Sequence, residues 1–154
     1  MSDCRGDDRG RITTTYGWGM RQAFLDTNVL LRHLCDVHPD QSPKATTMLR
    51  SVDQGSLRAH IADTVIFETV FTLERHYRRS KVAIRESLLP LIELPGIVLP
   101  GKRRYRQIFA LYAERNLPFA DAYYAVLMEQ LKLTGILSFD GDFDRIPGVV
   151  RIES

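Results

Sequence analysis

The sequence predicts a single α/β domain in which a mainly parallel central sheet is flanked by helices. Three observations carry that reading. Short apolar runs of strand length alternate with stretches of helical periodicity from position 22 to the end, the pattern of βα units rather than of segregated layers. The chain has 154 residues, enough for one domain to bury a core without covalent staples. Acids stand at the ends of two of the apolar runs, at Asp26 and Asp140, where an open α/β sheet gathers its sites.

The elements follow in order. Residues 1 to 20 are polar and glycine-containing with no apolar period. They read as a disordered tail or a misassigned start, with Met20 an alternative initiator, so the domain is expected over 21–154. Gln22 to Asp26 holds the run Ala-Phe-Leu and reads as a buried strand ending on an acid. A helix is expected over 29–35, with Val29, Leu30, Leu34 and His33 inward. Ser42-Pro43 reads as an N-cap followed by proline at the first helical position, opening a helix to Gln54 that Gly55 stops. Leu57 to Ala62 is a second strand. The next helix takes Asp63 or Thr64 as its cap and turns Val65, Ile66, Val70 and Leu73 to the core. Residues 81–94 are helical, with Pro90 ending or kinking them. A third strand is expected over 96–99, a helix over 102–116, and a further helix over 120–133 after the break at Pro118. Gly135 to Phe139 is a strand that delivers Asp140, and 149–152 a last short one.

Composition narrows the class of protein. Hydrophobic residues make up 44% and charged residues 26%, so a globular core is expected rather than disorder. The net charge of +2 selects no partner by itself. Cys4 and Cys35 show no Cys-x-x-Cys or Cys/His ligand spacing, which argues against a zinc site or a disulfide framework and for a reducing cytoplasm. No run reaches the roughly 18 apolar residues of a membrane span, and the N-terminus lacks the apolar core of a signal peptide. His33, His38, His60 and His76 are scattered and read as structural.

The chemistry lies in the acids. Glu68 falls one turn into the helix after the second strand, and Asp121 begins the helix after Pro118. Asp26, Glu68, Asp121 and Asp140 come from distant parts of the chain, yet each lies at the same end of its element. Parallel topology brings those ends together. Asp142 is the alternative fourth acid. Taken singly, Asp26 reads as a helix N-cap, Glu68 as a solvated helix residue and Asp121 as a first-turn acid complementing the helix dipole. Taken together, four carboxylates in one small space raise each other's pKa, and a hard divalent cation resolves the conflict. Mg²⁺ binds through a few carboxylates and keeps waters for phosphate, and Mn²⁺ suits the same donors. Such a centre polarises a phosphoryl oxygen and acidifies a bound water. Phosphodiester hydrolysis is therefore the expected chemistry, with Asp26, Asp121, Asp140 and Asp142 as metal ligands. Glu68 completes the shell or orients the attacking water. Thr27 and Asn28 are expected to cap the following helix, orient Asp26 or hold a metal-bound water, and Ser138 joins them as a supporting group.

Four segments also carry a resemblance. Phe24-Leu25-Asp26-Thr27-Asn28-Val29-Leu30-Leu31 resembles the opening of a PIN domain, especially of the VapC-type toxins of prokaryotic toxin–antitoxin pairs. Ala62-Asp63-Thr64-Val65-Ile66-Phe67-Glu68 resembles the second segment of that family, with Ala62 in place of its proline. Phe119-Ala120-Asp121-Ala122-Tyr123-Tyr124-Ala125 resembles the third, and Ser138-Phe139-Asp140-Gly141-Asp142-Phe143-Asp144 the fourth, with Ser138 in place of threonine. The four occur in family order and span nearly all of 21–154. The resemblance implies a PIN-like nuclease domain, a metal-dependent endoribonuclease acting on RNA, often dimeric and held inactive by an antitoxin protein.

Two further features bear on function. Between Arg75 and Arg106 there are nine basic residues and two acids, and Lys and Arg supply most sequence-independent affinity for nucleic acid. Arg75, Arg78, Arg79, Arg103, Arg104 and Arg106 are the candidates for RNA contact, with Tyr77 and Tyr105 placed to stack on unpaired bases. A solvated helix face is the plainer reading. Two other functions compete. A phosphatase with Asp26 as nucleophile would carry a second aspartate two residues on, as haloacid-dehalogenase-like enzymes do, and Asn28 stands there instead. A non-catalytic PIN-like module that binds RNA or protein is the stronger alternative.

Overall fold

The computed structural model describes residues 21–153. The polar stretch 1–20, with Cys4 and Trp18, lies outside the described residues. Five short strands are β1 (Arg21–Phe24), β2 (Leu57–His60), β3 (Ile97–Val98), β4 (Gly135–Leu137) and β5 (Val150–Ile152). Six helices connect them: α1 (Thr27–Cys35), α2 (Gln41–Asp53), α3 (Asp63–Arg75), α4 (Lys81–Ile92), α5 (Tyr105–Glu114) and α6 (Phe119–Gln130). Every strand pairing among the described residues is parallel. The order β1-β2-β3 makes one hydrogen-bonded set, with Phe24 opposite His60 and His60 opposite Val98. β4 and β5 make another, with Leu137 opposite Ile152. Parallel neighbours need long crossovers: pairs of helices, α1 with α2 and α3 with α4, supply them in the β1-β2-β3 set, while β4 and β5 are joined through the 3-10 turn Gly141–Arg145. The α/β reading with parallel strands therefore holds.

The core lies mainly between α3, α4, α5 and α6. Ile66, Leu73, Ile84, Leu88, Tyr105, Ile108, Phe109 and Tyr112 are all fully buried. Val65, Ile66, Val70 and Leu73 turn inward as their helical spacing predicts. In α1 the buried leucines are Leu30 and Leu31, while Val29, His33 and Leu34 are half-buried.

Several boundaries differ from expectation for local reasons. Asp40 rather than Ser42 precedes α2, and Pro43 is its third residue. Proline is tolerated there because first-turn N–H groups have no intrahelical acceptor. The Ser42 hydroxyl instead accepts from the His38 backbone N–H at 3.3 Å. α4 runs through Pro90 to Ile92. Pro90 and Glu86, the residue whose carbonyl the proline leaves unpaired, are both exposed, so solvent can take the freed acceptor. The helix expected over 102–116 opens as a 3-10 turn, Lys102–Arg104, before α5. β4 stops at Leu137, so Asp140 stands three residues beyond the strand, at the head of a 3-10 turn over Gly141–Arg145.

Candidate active site

Three acids converge. Asp121 lies in the first turn of α6, where Pro118 holds the N-cap position in an extended conformation. It is 8% exposed, and its Oδ2 is buried with no hydrogen-bond partner. Asp140 and Asp142 share one short turn. The Asp140 carboxylate caps that turn by accepting from the Asp142 N–H at 2.9 Å, and the Asp140 N–H donates to Ser138 Oγ at 3.0 Å. Carboxylate oxygens of Asp121, Asp140 and Asp142 lie within 4.8 Å of one another. Burial first, and then the charges of Asp140 and Asp142, push the Asp121 carboxyl above its usual range. A buried carboxylate oxygen with no partner, beside two more carboxylates, is an all-oxygen donor set that fits a hard divalent cation.

The other two acids stand differently. Asp26 is exposed and precedes α1 in extended backbone, without a side-chain cap bond. Glu68 is exposed on α3, and its Oε2 accepts from the Thr27 hydroxyl at 2.9 Å. Thr27, the first residue of α1, thus fixes Glu68 rather than capping the helix. Asn28 is exposed inside α1 and does not cap it either. The cluster of mutually close ligand atoms includes neither Asp26 nor Glu68. Glu68 also lacks the apolar surroundings its neighbours in sequence suggest, because Phe67 is only half-buried and Phe71 is exposed.

The PIN domain family matches residues 23–149, a span that holds all five acids. The chain belongs to the PIN domain family. Among curated proteins no sequence matches it. PIN domains are generally nucleases acting on RNA or other nucleic acid, and they typically use divalent metals. The acidic cluster of this PIN domain fits such a site.

Two cations border the cluster, and the sequence reading missed both. Arg145 reaches Asp142 Oδ1 at 2.7 Å and the Arg115 carbonyl at 3.5 Å. Its i,i+3 spacing from Asp142 was the available signal. Lys81, at the start of α4, donates to the Leu117 carbonyl at 2.6 Å and sits 4.8 Å from the centre of the Tyr112 ring. Tyr112 in turn donates to Glu74 at 2.7 Å. Burial lowers the Lys81 pKa, while Glu74, Asp142 and Asp121 act to raise it. Lys81 therefore pins the loop that leads into α6 and lends positive field to Asp121. No local pattern could have found it, since its partners lie more than thirty positions away.

Asp63 is the clearest correction. Ala62 holds the N-cap position of α3, and Asp63 is the first helical residue. Its carboxylate accepts from Arg104 at 3.1 Å, from Tyr123 at 2.9 Å and from the Tyr105 hydroxyl. Tyr105 is fully buried, so it offers no ring to a nucleic-acid base. Among the basic residues, Arg104 is held by Asp63, Arg106 by Glu93 at 2.6 Å and Arg79 by the Leu34 carbonyl at 2.6 Å. Arg75, Arg78 and Arg103 are exposed. No helix among the described residues is long and apolar enough to cross a membrane.

A carboxyl with a raised folded pKa contributes instability at neutral pH. For Asp121 the loss begins as pH rises above the unfolded value of 3.8 and is complete once pH passes the folded value. Asp121→Asn removes that charge and offers an amide donor to its carboxylate neighbours. In metal-free buffer at pH 7 the variant is expected to melt above the parent, by about 2–4 °C per kcal/mol recovered. At pH 3 the two should melt together. Calorimetry at both values checks this, and a variant that melts lower at pH 7 would refute the electrostatic account.

Proposed function

We propose that this PIN domain, over residues 21–154, is a metal-dependent endoribonuclease that hydrolyses RNA phosphodiester bonds, and that it is the toxin of a toxin–antitoxin pair. The observation that carries the nuclease reading is the Asp121, Asp140 and Asp142 cluster with its unpartnered buried oxygen. The toxin reading, with an antitoxin protein and a homodimer as partners and the cytoplasm as location, is supported by the likeness of the four segments to VapC-type toxins.

The residues divide the work as follows. Asp121, Asp140 and Asp142, joined by Asp26, would hold Mg²⁺ or Mn²⁺. When bound, the ion supplies Lewis acidity and an activated water. Glu68, oriented by Thr27, would complete the shell or orient the attacking water. Ser138 holds the backbone of the turn that presents Asp140 and Asp142. The exposed guanidinium groups of Arg75, Arg78 and Arg103 bind phosphates flanking the cleaved bond. Hydrolysis needs no covalent enzyme intermediate on this scheme.

The test is cleavage of total RNA by the full chain with Mg²⁺, with Mn²⁺ and with EDTA, beside Asp26→Asn. Cutting that requires metal and disappears in the variant is the expected result. Cutting that persists in EDTA would sink the proposal. A second reading, a non-catalytic binder of RNA or protein, is favoured by the absence of Asp26 and Glu68 from the close cluster. RNA binding without cleavage of any RNA under either metal would select it.

A further inference from the structure

We propose that the groove between α3 and the start of α6 is a subsite for one unpaired nucleobase of single-stranded RNA. This rests on the nuclease reading above and names where its substrate lies. The groove has a volume of about 210 Å³ and is walled by Phe67, Phe71, Glu74 and Arg75 on one side and by Pro118 and Phe119 on the other. That is below the roughly 300–1,000 Å³ of clefts that engulf a whole small ligand, and it suits a single ring system. Phe67 and Phe119 meet edge to face at 5.1 Å across it and tie the two walls together.

Phe71 is the residue that needs a reason. It is 64% exposed on a helix whose other large apolar side chains face the core. The Arg75 guanidinium lies 5.7 Å from the centre of its ring, so an aromatic face and a cation are presented side by side. An unpaired base takes that pairing well: it stacks on the ring, and its phosphate meets the charge. A base inside a duplex has both faces covered by its neighbours and cannot enter.

Each wall of the groove carries a residue close in the chain to one of the acids. Phe71 follows Glu68 by three residues on α3, so the two share a helix face. Ala120 lines the opposite wall and directly precedes Asp121. In the proposed arrangement a strand with one phosphate at the acidic cluster lays a neighbouring base in the groove. Arg75 and the exposed Arg78 beyond it favour a polyanion over an acid-poor apolar partner.

The experiment is fluorescence anisotropy of a short, mixed-sequence, labelled single-stranded RNA against the full chain in EDTA, where no cutting is expected. Phe71→Ala should weaken binding about tenfold, within the range of a lost base–aromatic stack. Phe71→Trp should retain it, and a duplex of the same sequence should bind parent and Phe71→Ala alike. Equal affinity of parent and Phe71→Ala for the single strand overturns the subsite. If the parent still cuts RNA with metal in that case, the nuclease reading stands without it. If the parent neither binds nor cuts RNA, both fail together. Sedimentation of the same variant decides the remaining case: a parent dimer that Phe71→Ala turns into a monomer makes Phe71 a protein contact and overturns the base subsite.

Discussion

Asp121→Asn is expected to lower metal-dependent RNA cleavage by about 10²–10³-fold, the scale of losing one preorganised charged group from a catalytic centre. Asp121 is the acid with the strongest claim. It is the only one of the three clustered acids that is buried, and its Oδ2 has no protein partner. Asp140 spends one oxygen on its own turn and Asp142 one on Arg145. Asparagine keeps the shape and removes the charge, so the fold should survive while metal affinity falls. Single-turnover cleavage and Mn²⁺ titration on the same preparations would check both. A variant with near-parental cleavage would remove Asp121 from the mechanism. The same substitution is predicted above to stabilise the metal-free fold, so loss of activity beside a higher melting temperature would mark a charge retained for function against stability.

Asp63→Ala is expected to cost about 2–4 kcal/mol of stability. It strips partners from the buried Tyr105 hydroxyl, from Tyr123 and from Arg104 in one step. These groups belong to α5, α6 and the 3-10 turn before α5, so one carboxylate ties three elements to the head of α3. Burial and the hydrogen bond to Asp63 both push the Tyr105 pKa far up, so the tyrosine stays a neutral donor throughout the useful pH range. Urea unfolding should show a lower midpoint with an unchanged slope. Asp63→Asn, which keeps an acceptor, should lie between the parent and the alanine variant. A loss below about 1 kcal/mol for alanine would mean that the network is solvated, as exposed ion pairs are.

The parts of this molecule that were legible in the sequence are those set by local pattern. The four positions that turn α3 inward repeat at helical spacing, and α3 buries them all. The parallel topology followed from the alternation of short apolar runs with helices. Asp140 and Asp142 were readable because both sit in one turn. What stayed hidden depends on partners far along the chain. Asp63 looks like a helix cap, and its role appears only once residues forty to sixty positions away arrive beside it. Lys81 looks like a solvated first-turn residue until the Leu117 carbonyl meets it. Three of the six arginines expected to contact RNA, Arg79, Arg104 and Arg106, likewise turned out to be held by protein acceptors. Asp26 belongs to the same class: its sequence position puts it just past a strand, while the fold leaves it exposed and outside the close cluster of Asp121, Asp140 and Asp142.

The position of the clustered acids along the chain has a consequence for biosynthesis. Asp121, Asp140 and Asp142 all lie in the last quarter of the 154 residues. A chain emerging from the ribosome presents β1, α1, α2 and α3 first and can begin to fold them, since synthesis runs from the N-terminus. Its three convergent carboxylates come out after them. The acidic cluster of a nascent PIN domain of this kind therefore assembles only after β1, α1, α2 and α3 have already emerged.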